Sequence, residues 1–434
     1  MGVDGRSRTM IRPVLFLLLA AALTCRASEQ KILVLLDDPL IRSTHSLFFS
    51  DLSSRGYEIS FKSASDRKLQ LKDWDEWLYQ KVIVFAPSAT DFGGDIDDGT
   101  LLEFVDAGND VLIAVDSKAS ELIRGLVADI GIDLEAKGTV VTDHVGFVKS
   151  SSDGHSLIAS EEFVQSEAVL GNFTDRSPIL FKGTAASISP ESTLAISILG
   201  APETAFSYLH GKAVTENPLV ANGHATLVAG VQARSGARVV VAGSVDMFSN
   251  AYFNSAGFET SSGKKCSKAG NRAFCSEVTR WAFHERGVLR VTNLHHSHAG
   301  KQEQPDWYRV TDDLQFGLDI HELVGGIWQP FRADDVQVEF VMLDPYVRAD
   351  LQHNDQGHFY TAFKVPDVYG VYKFVINYRK PGYTPLDLAK RVSVRPYRHN
   401  EFERFLVAAY PYYMSVFSTM AAFFVFGIVF LYHK

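Results

Sequence analysis

Apolar and polar positions follow two different periods along this chain, and the stretches where the period changes divide it. Lys31 to Leu36 (KILVLL) is a continuous apolar run ending in Asp37-Asp38-Pro39, the pattern of a buried strand stopped by a loop. Leu47, Phe48 and Leu52 then share one face of a helix closed by Gly56. Tyr57 to Phe61, Val82 to Phe85 and Val111 to Val115 read as further strands, with helices around Leu101 to Val105 and over Leu122, Ile123, Leu126 and Val127. Uninterrupted apolar strands alternating with amphipathic helices predict a parallel sheet covered on both faces, so an α/β doubly wound domain is expected over residues 28–153.

From Gly154 to Gly236 the segments become short and rich in Gly and Ser, which predicts a strand-rich insertion. Arg238 to Ala242 (RVVVA) returns to the buried-strand pattern, and Val278, Trp281 and Ala282 fall at helical spacing within Ser276 to Glu285. This unit completes a middle region over 154–290. Beyond it, Val336 to Leu343, His358 to Val365, Val371 to Tyr378 and Arg391 to Val394 are strand-like between turns such as Asp344-Pro345 and Lys380-Pro381-Gly382. That spacing predicts a β-sandwich over 291–397, and Asp367 to Tyr372 resembles the corner before an immunoglobulin-type F strand, with its Asp one place off that pattern.

The final apolar stretch, Tyr412 to Tyr432, carries no charge and covers roughly 30 Å of hydrocarbon as a helix. Tyr410, Tyr412, Tyr413 and Tyr432 stand where interfacial anchors belong. At the other end, Arg6, Arg8 and Arg12 precede the apolar run Val14 to Leu23 and the small-residue site at Ala27, which predicts a cleaved signal peptide over 1–27. Arg391, Arg395, Arg398 and Arg404 precede the span against the positive-inside bias, but long domains translocate largely regardless of charge. The expected product is a single-pass type I protein with a juxtamembrane segment at 398–411, a span at 412–432 and a cytosolic tail at 433–434. A glycolipid-anchor signal is the rival reading, with Ala408-Ala409 small but no polar spacer after them.

Composition narrows the function. The 434 residues are 46% hydrophobic and carry a formal charge of −9, which becomes −12 once the signal's four Arg and one Asp are removed. An overall acidic field excludes general nucleic-acid binding. Without Cys25 the cysteines are an even pair, Cys266 and Cys275, expected to bridge in an oxidising compartment. Asn172-Phe173-Thr174 makes Asn172 a candidate glycosylation site.

Candidate chemistry is sparse. There is no Gly-x-Ser-x-Gly, no Gly-x-Gly-x-x-Gly, and no cysteine between Ser28 and Lys265, which argues against the hydrolases that place a nucleophile at a strand end. Gly257 to Lys265 has the wrong glycine spacing for a phosphate loop, and Lys265 stands where magnesium needs a hydroxyl. Asp73-Trp74-Asp75 and Asp95-Ile96-Asp97 could hold a divalent metal on a sugar diphosphate, but Asp97 is better placed as a helix cap. His295, His296 and His298 are expected in a solvated linker, and Asp37-Asp38 is the best-placed acidic pair for a ligand. No catalytic residue, metal or cofactor is assigned. In the span, Ser415, Ser418, Thr419 and Ala422 form one small, partly polar face expected to dock on another subunit's helix.

Several stretches together carry a family signature: KILVLLDD at Lys31, RVVVAGSVDMFSN (Arg238 to Asn250), GVLRV (Gly287 to Val291), PDVYGVYKF (Pro366 to Phe374), VRPYRHNEFERF (Val394 to Phe405) and AYPYY (Ala409 to Tyr413). The chain resembles the family of oligosaccharyltransferase 48-kDa subunits over essentially its whole mature length. The resemblance implies a non-catalytic subunit of the endoplasmic-reticulum complex that moves oligosaccharide from a dolichol-diphosphate carrier to Asn-x-Ser/Thr. It also implies a glutaminase-like sheet lacking the nucleophile, partner subunits that include a catalytic multi-span one, and no cofactor. One departure is the end, Leu431-Tyr432-His433-Lys434, which has no lysine at the positions a retrieval signal uses in some members. The alternatives are a self-sufficient lumenal glycosyltransferase with an Asp-x-Asp metal site, and an adhesion-type receptor.

Overall fold

The structure is a computed structural model and describes residues 30–149, 155–164, 166–171, 177–189, 192–209, 225–261, 263–301, 303–402 and 406–433. The expected signal peptide and Asn172 lie outside the described residues. The chain forms two compact units, one holding residues up to Arg290 with His321–Gln329 and Arg379–Pro385, the other holding Val291–Ile320, Pro330–Tyr378 and Leu386–Lys434.

The first unit is built on a mixed sheet. Seven of its ten strands are β1 (Lys31–Leu36), β2 (Glu58–Ser63), β3 (Lys81–Phe85), β4 (Asp110–Ala114), β5 (Ala195–Gly200), β6 (Thr226–Gln232) and β7 (Arg238–Ala242), ordered β5-β6-β7-β4-β3-β1-β2. From β7 to β2 neighbours run parallel, with Val34 beside Ile83 and Leu112 beside Val240. β6 and β5 add on antiparallel. The Gly- and Ser-rich middle region therefore contributes strands to this same sheet instead of standing apart from it.

Successive side chains on a strand point to opposite faces, and both faces here are covered. Ile32, Val34 and Leu36 pack with helices α1 (Ser46–Ser54) and α4 (Asn271–Ala282) through Phe48, Leu52, Phe274, Val278 and Trp281. Leu33 and Leu35 pack with α2 (Asp98–Asp106) and α3 (Glu121–Asp129) through Leu101, Phe104, Ile123 and Leu126. Each such side chain contributes about 1.5–3 kcal/mol by leaving water, which fixes the parallel core. Helix α1 ends where Gly56 takes φ +93°, a left-handed turn that a side chain would oppose.

The second unit contains two five-stranded sheets. One includes β8 (Val288–His298), β9 (Asp313–Val324) and β11 (His358–Lys364); the other includes β10 (Gln337–Val341), β12 (Gly370–Tyr378) and β13 (Leu386–Arg395). They meet through aromatic rings, Phe316 to Phe374 at 4.8 Å and Phe340 to Phe363 at 5.6 Å. Tyr372 Oη donates to Val368 O at 2.9 Å, fixing the turn that leads into β12. Helix α5 (Tyr410–Tyr432) is 23 residues long, has no buried residue, and is apolar enough to cross a membrane.

Three expectations are corrected here. Cys266 and Cys275 are not bridged; both are free and buried. The helix after the polar loop begins at Asn271 and not at Ser276, because the buried Asn271 side chain bonds both the N–H and the carbonyl of Leu180 and anchors an extra turn. Cys275 thus faces the core with Sγ 3.8 Å from Met247 O, whereas Cys266 packs in a separate cluster with Val148, Leu180 and Phe258. The three histidines are not in a solvated linker either. They lie in β8, where His296 is buried against Tyr308 Oη (2.9 Å) and Gln304 Nε2 (3.0 Å), while His295 stacks on His358.

Candidate functional site

In open α/β sheets ligands bind outside the carboxyl ends of the parallel strands. Here β1, β3, β4 and β7 leave the sheet through Asp37-Asp38, Pro87-Ser88, Asp116 and Ser244-Val245-Asp246, and a cavity of about 330 Å³ opens among Asp38, His45, Pro87, Asp116, Ser244 and Asp246. Its rim is tied together by side chains. Asp37 Oδ2 accepts from the Ser88 hydroxyl (2.7 Å) and N–H (3.3 Å), and Asp38 Oδ1 accepts from Leu40 N–H (2.9 Å). The Ser244 hydroxyl donates to Lys182 O at 2.6 Å. The chain turns sharply at Gly243, where a Cβ would come within 2.0 Å of Thr184 O, so only glycine lets these backbones meet.

His45 is the imidazole in this cavity, beside the carboxyl groups of Asp38, Asp116 and Asp246. Burial holds its imidazole below the usual range and so neutral at pH 7. Nε2 lies 3.1 Å from Val245 O, and Nδ1 lies 2.9 Å from the Thr44 hydroxyl and 3.2 Å from Ile41 O. With both nitrogens engaged, the ring clamps the loop after β7 to the start of α1. Burial, and then the Asp116 charge, push the Asp246 carboxyl up, with His45 and Lys182 opposing. Such a site offers carboxylate oxygens to hydroxyl donors.

Of the residues singled out in the sequence, Asp37 and Asp38 are brought to this crevice. His45, Asp116, Ser244 and Asp246 were missed, although three of them directly follow apolar strands, which is the signal that would have found them. The Asp-x-Asp triplets do not meet. Asp73 pairs with Glu76 in a two-residue hairpin whose turn holds Trp74 at φ +55°, and Asp97 caps α2 by accepting from Thr100 N–H at 2.6 Å. Among the described residues no cluster of three or more His, Cys, Asp or Glu could hold a metal. In α5 the hydroxyls of Ser415, Ser418 and Thr419 donate to carbonyls of their own helix, Tyr412 O (2.8 Å) and Ser415 O (2.9 and 2.8 Å), so a docking face with Ala422 would work by close packing.

The comparisons with known proteins cover both halves of the chain. The family model described as OST48, N-terminal domain, matches residues 23–285, and that of the OST48 middle domain matches residues 295–434. The relative from Arabidopsis thaliana named dolichyl-diphosphooligosaccharide–protein glycosyltransferase 48 kDa subunit is 44% identical over 94% of this chain and 94% of its own. Proteins of the same name from Danio rerio (42% identical, 96% of this chain and 95% of that one) and Drosophila melanogaster (38%, 98% and 97%) match equally fully. Among solved structures, that of the carbohydrate deacetylase Agd3 overlaps 49% of this chain and 29% of its own at 16% identity with a TM-score of 0.30, too low to establish a shared fold.

Proposed function

We propose a role from one premise: the chain belongs to the family of the 48 kDa subunit of dolichyl-diphosphooligosaccharide–protein glycosyltransferase. It acts as a non-catalytic subunit of the complex that transfers oligosaccharide from a dolichol-diphosphate carrier to Asn of Asn-x-Ser/Thr, and it supports assembly and substrate positioning. Its partners are the other subunits, including the catalytic multi-span one. It resides in the endoplasmic reticulum membrane as a type I protein with its bulk in the lumen. We read the first sheet as glutaminase-like and the two smaller sheets as a β-sandwich, and we assign the Ser415, Ser418, Thr419 and Ala422 face to a neighbouring helix.

The full-length match at 38–44% identity carries the assignment to the complex. The hydrogen bonds of His45 to Val245 O and the Thr44 hydroxyl support a structural role for that imidazole, as expected of a subunit that does not perform the chemistry. The test replaces the cell's own copy with a chain carrying Asp38→Asn, Asp116→Asn and Asp246→Asn. The complex should assemble and keep its turnover at saturating substrate, while loss of the whole chain lowers the amount of assembled complex. Normal assembly with turnover abolished would refute the reading.

A further inference from the structure

At the opposite, amino end of the parallel strands, a larger cavity of about 670 Å³ lies within the first unit. Tyr57 and Phe283 line it together with His284 and three guanidinium groups, Arg55, Arg280 and Arg286. Three arginines around one opening stand out in a chain whose net charge is −9. The acids that face them are shared with other groups. Arg55 Nη1 reaches Glu285 at 3.3 Å, and its Nη2 donates to Thr279 (3.0 Å) and Ser276 (3.4 Å). Glu285 also accepts from the Tyr57 hydroxyl at 2.8 Å. Glu277 is shared by two guanidiniums, Arg286 in close contact and Arg280 at 3.4 Å. His284 gives its Nε2 to Asp110 at 2.9 Å, and Asp110 is already paired with Lys81 at 2.8 Å. Glu322, which also faces Arg286, is pushed toward its neutral form by burial.

Arg280 is the least committed of the three. Its one ion pair is long, and its buried Nε finds no hydrogen-bond partner among the described residues. The side chain is 40% exposed and lines the opening, where an oxyanion would meet its guanidinium N–H groups. Planar guanidinium forks match the paired oxygens of phosphate, and Glu277, shared by two forks, leaves Arg280 with donors unused. We propose that this arginine-lined cavity is a binding site for a phosphate-class oxyanion, either free or carried as a phosphoester on a larger molecule, with Arg280 as its principal donor.

The experiment titrates the full-length chain in mild detergent with inorganic pyrophosphate by calorimetry, with acetate as the carboxylate comparison. A second arm uses vesicles containing phosphatidic acid. Pyrophosphate should bind saturably at one site, weaken with added salt, and lose about tenfold in affinity in Arg280→Gln, the worth of one charge-assisted bond. Lys68→Gln, at an exposed lysine in the same unit, should leave binding unchanged. An unchanged unfolding temperature in Arg280→Gln establishes that the loss is local. Binding to the vesicles alone, with the same dependence on Arg280, would place the phosphate on a lipid and support the site. No saturable binding in either arm, binding indifferent to Arg280→Gln, or acetate binding as tightly as pyrophosphate would overturn the proposal.

Discussion

Arg238 lies at the start of β7, fully buried, and its replacement by Met is the perturbation whose cost the structure specifies best. Burial pulls the guanidinium down to about 10, so it is still charged at pH 7. It donates to four carbonyls: Trp281 O (2.6 Å), Arg286 O (2.7 Å), Gly287 O (2.7 Å) and Gly382 O (3.2 Å). Three of these keep another donor when it is removed, since Trp281 O also accepts from His284 N–H (3.2 Å), Gly287 O from Thr384 N–H (2.9 Å) and Gly382 O from the Trp281 indole (2.8 Å). Arg286 O keeps none among the described residues. One orphaned carbonyl costs about 1–3 kcal/mol, and the lost stacking of the guanidinium on the Trp281 ring costs about 0.5–2 kcal/mol. With three weakened bonds added, the loss should be about 3–5 kcal/mol, the usual cost of breaking a buried charged network. For a unit of this size that lowers the unfolding temperature by roughly 6–20 °C, read from tryptophan fluorescence of the full chain on heating. A drop under about 2 °C would show that the carbonyls find other donors and that the reasoning is wrong.

Other expectations follow from single environments. Alkylation of the denatured, unreduced chain should label both Cys266 and Cys275, while Cys275 in the native chain stays unlabelled because burial hides it and raises its thiol; labelling that requires a reductant would restore the bridge. Asp95→Asn with Asp97→Asn should leave glycosylation intact, since Asn caps a helix as well as Asp; lost transfer in an assembled complex would revive a metal site. Burial holds His45 and His296 below the free value of 6.5, His296 at about 4, so the unfolded chain takes up these protons first. The stability they contribute is full above pH 6.5 and lost as the pH falls toward 4, and the acid-induced drop in the denaturation midpoint should shrink in His296→Gln. An unaltered drop in that variant would count against it.

The parallel core was legible because buried strands leave continuous apolar runs: KILVLL, KVIVF and RVVVA are strands wherever they are read. The span and the cap at Asp97 were legible for similarly local reasons. What hid was non-local. β8 and β9 are half-buried strands whose histidines and acids mask the alternation, and Asn271 looks like a loop residue until Leu180, far away in the chain, supplies its partners. His45 is one residue on a short helix in the sequence. It becomes the clamp of the crevice only when the sheet order brings Val245 beside it. The arginine cavity likewise joins Arg55 to Arg280 and Arg286 through packing of α1 against α4, which no spacing announces.

The central claim is that this chain serves a multi-subunit glycosyltransferase without performing its chemistry. The most direct measurement purifies it from cells in mild detergent, compares the intact assembly with the isolated chain, and follows transfer of oligosaccharide from a dolichol-diphosphate donor to an Asn-x-Ser/Thr peptide. The account predicts stoichiometric co-purification with the other subunits, transfer by the assembly, and none by the isolated chain. Transfer by the isolated chain, abolished by chelating divalent metal, would contradict it.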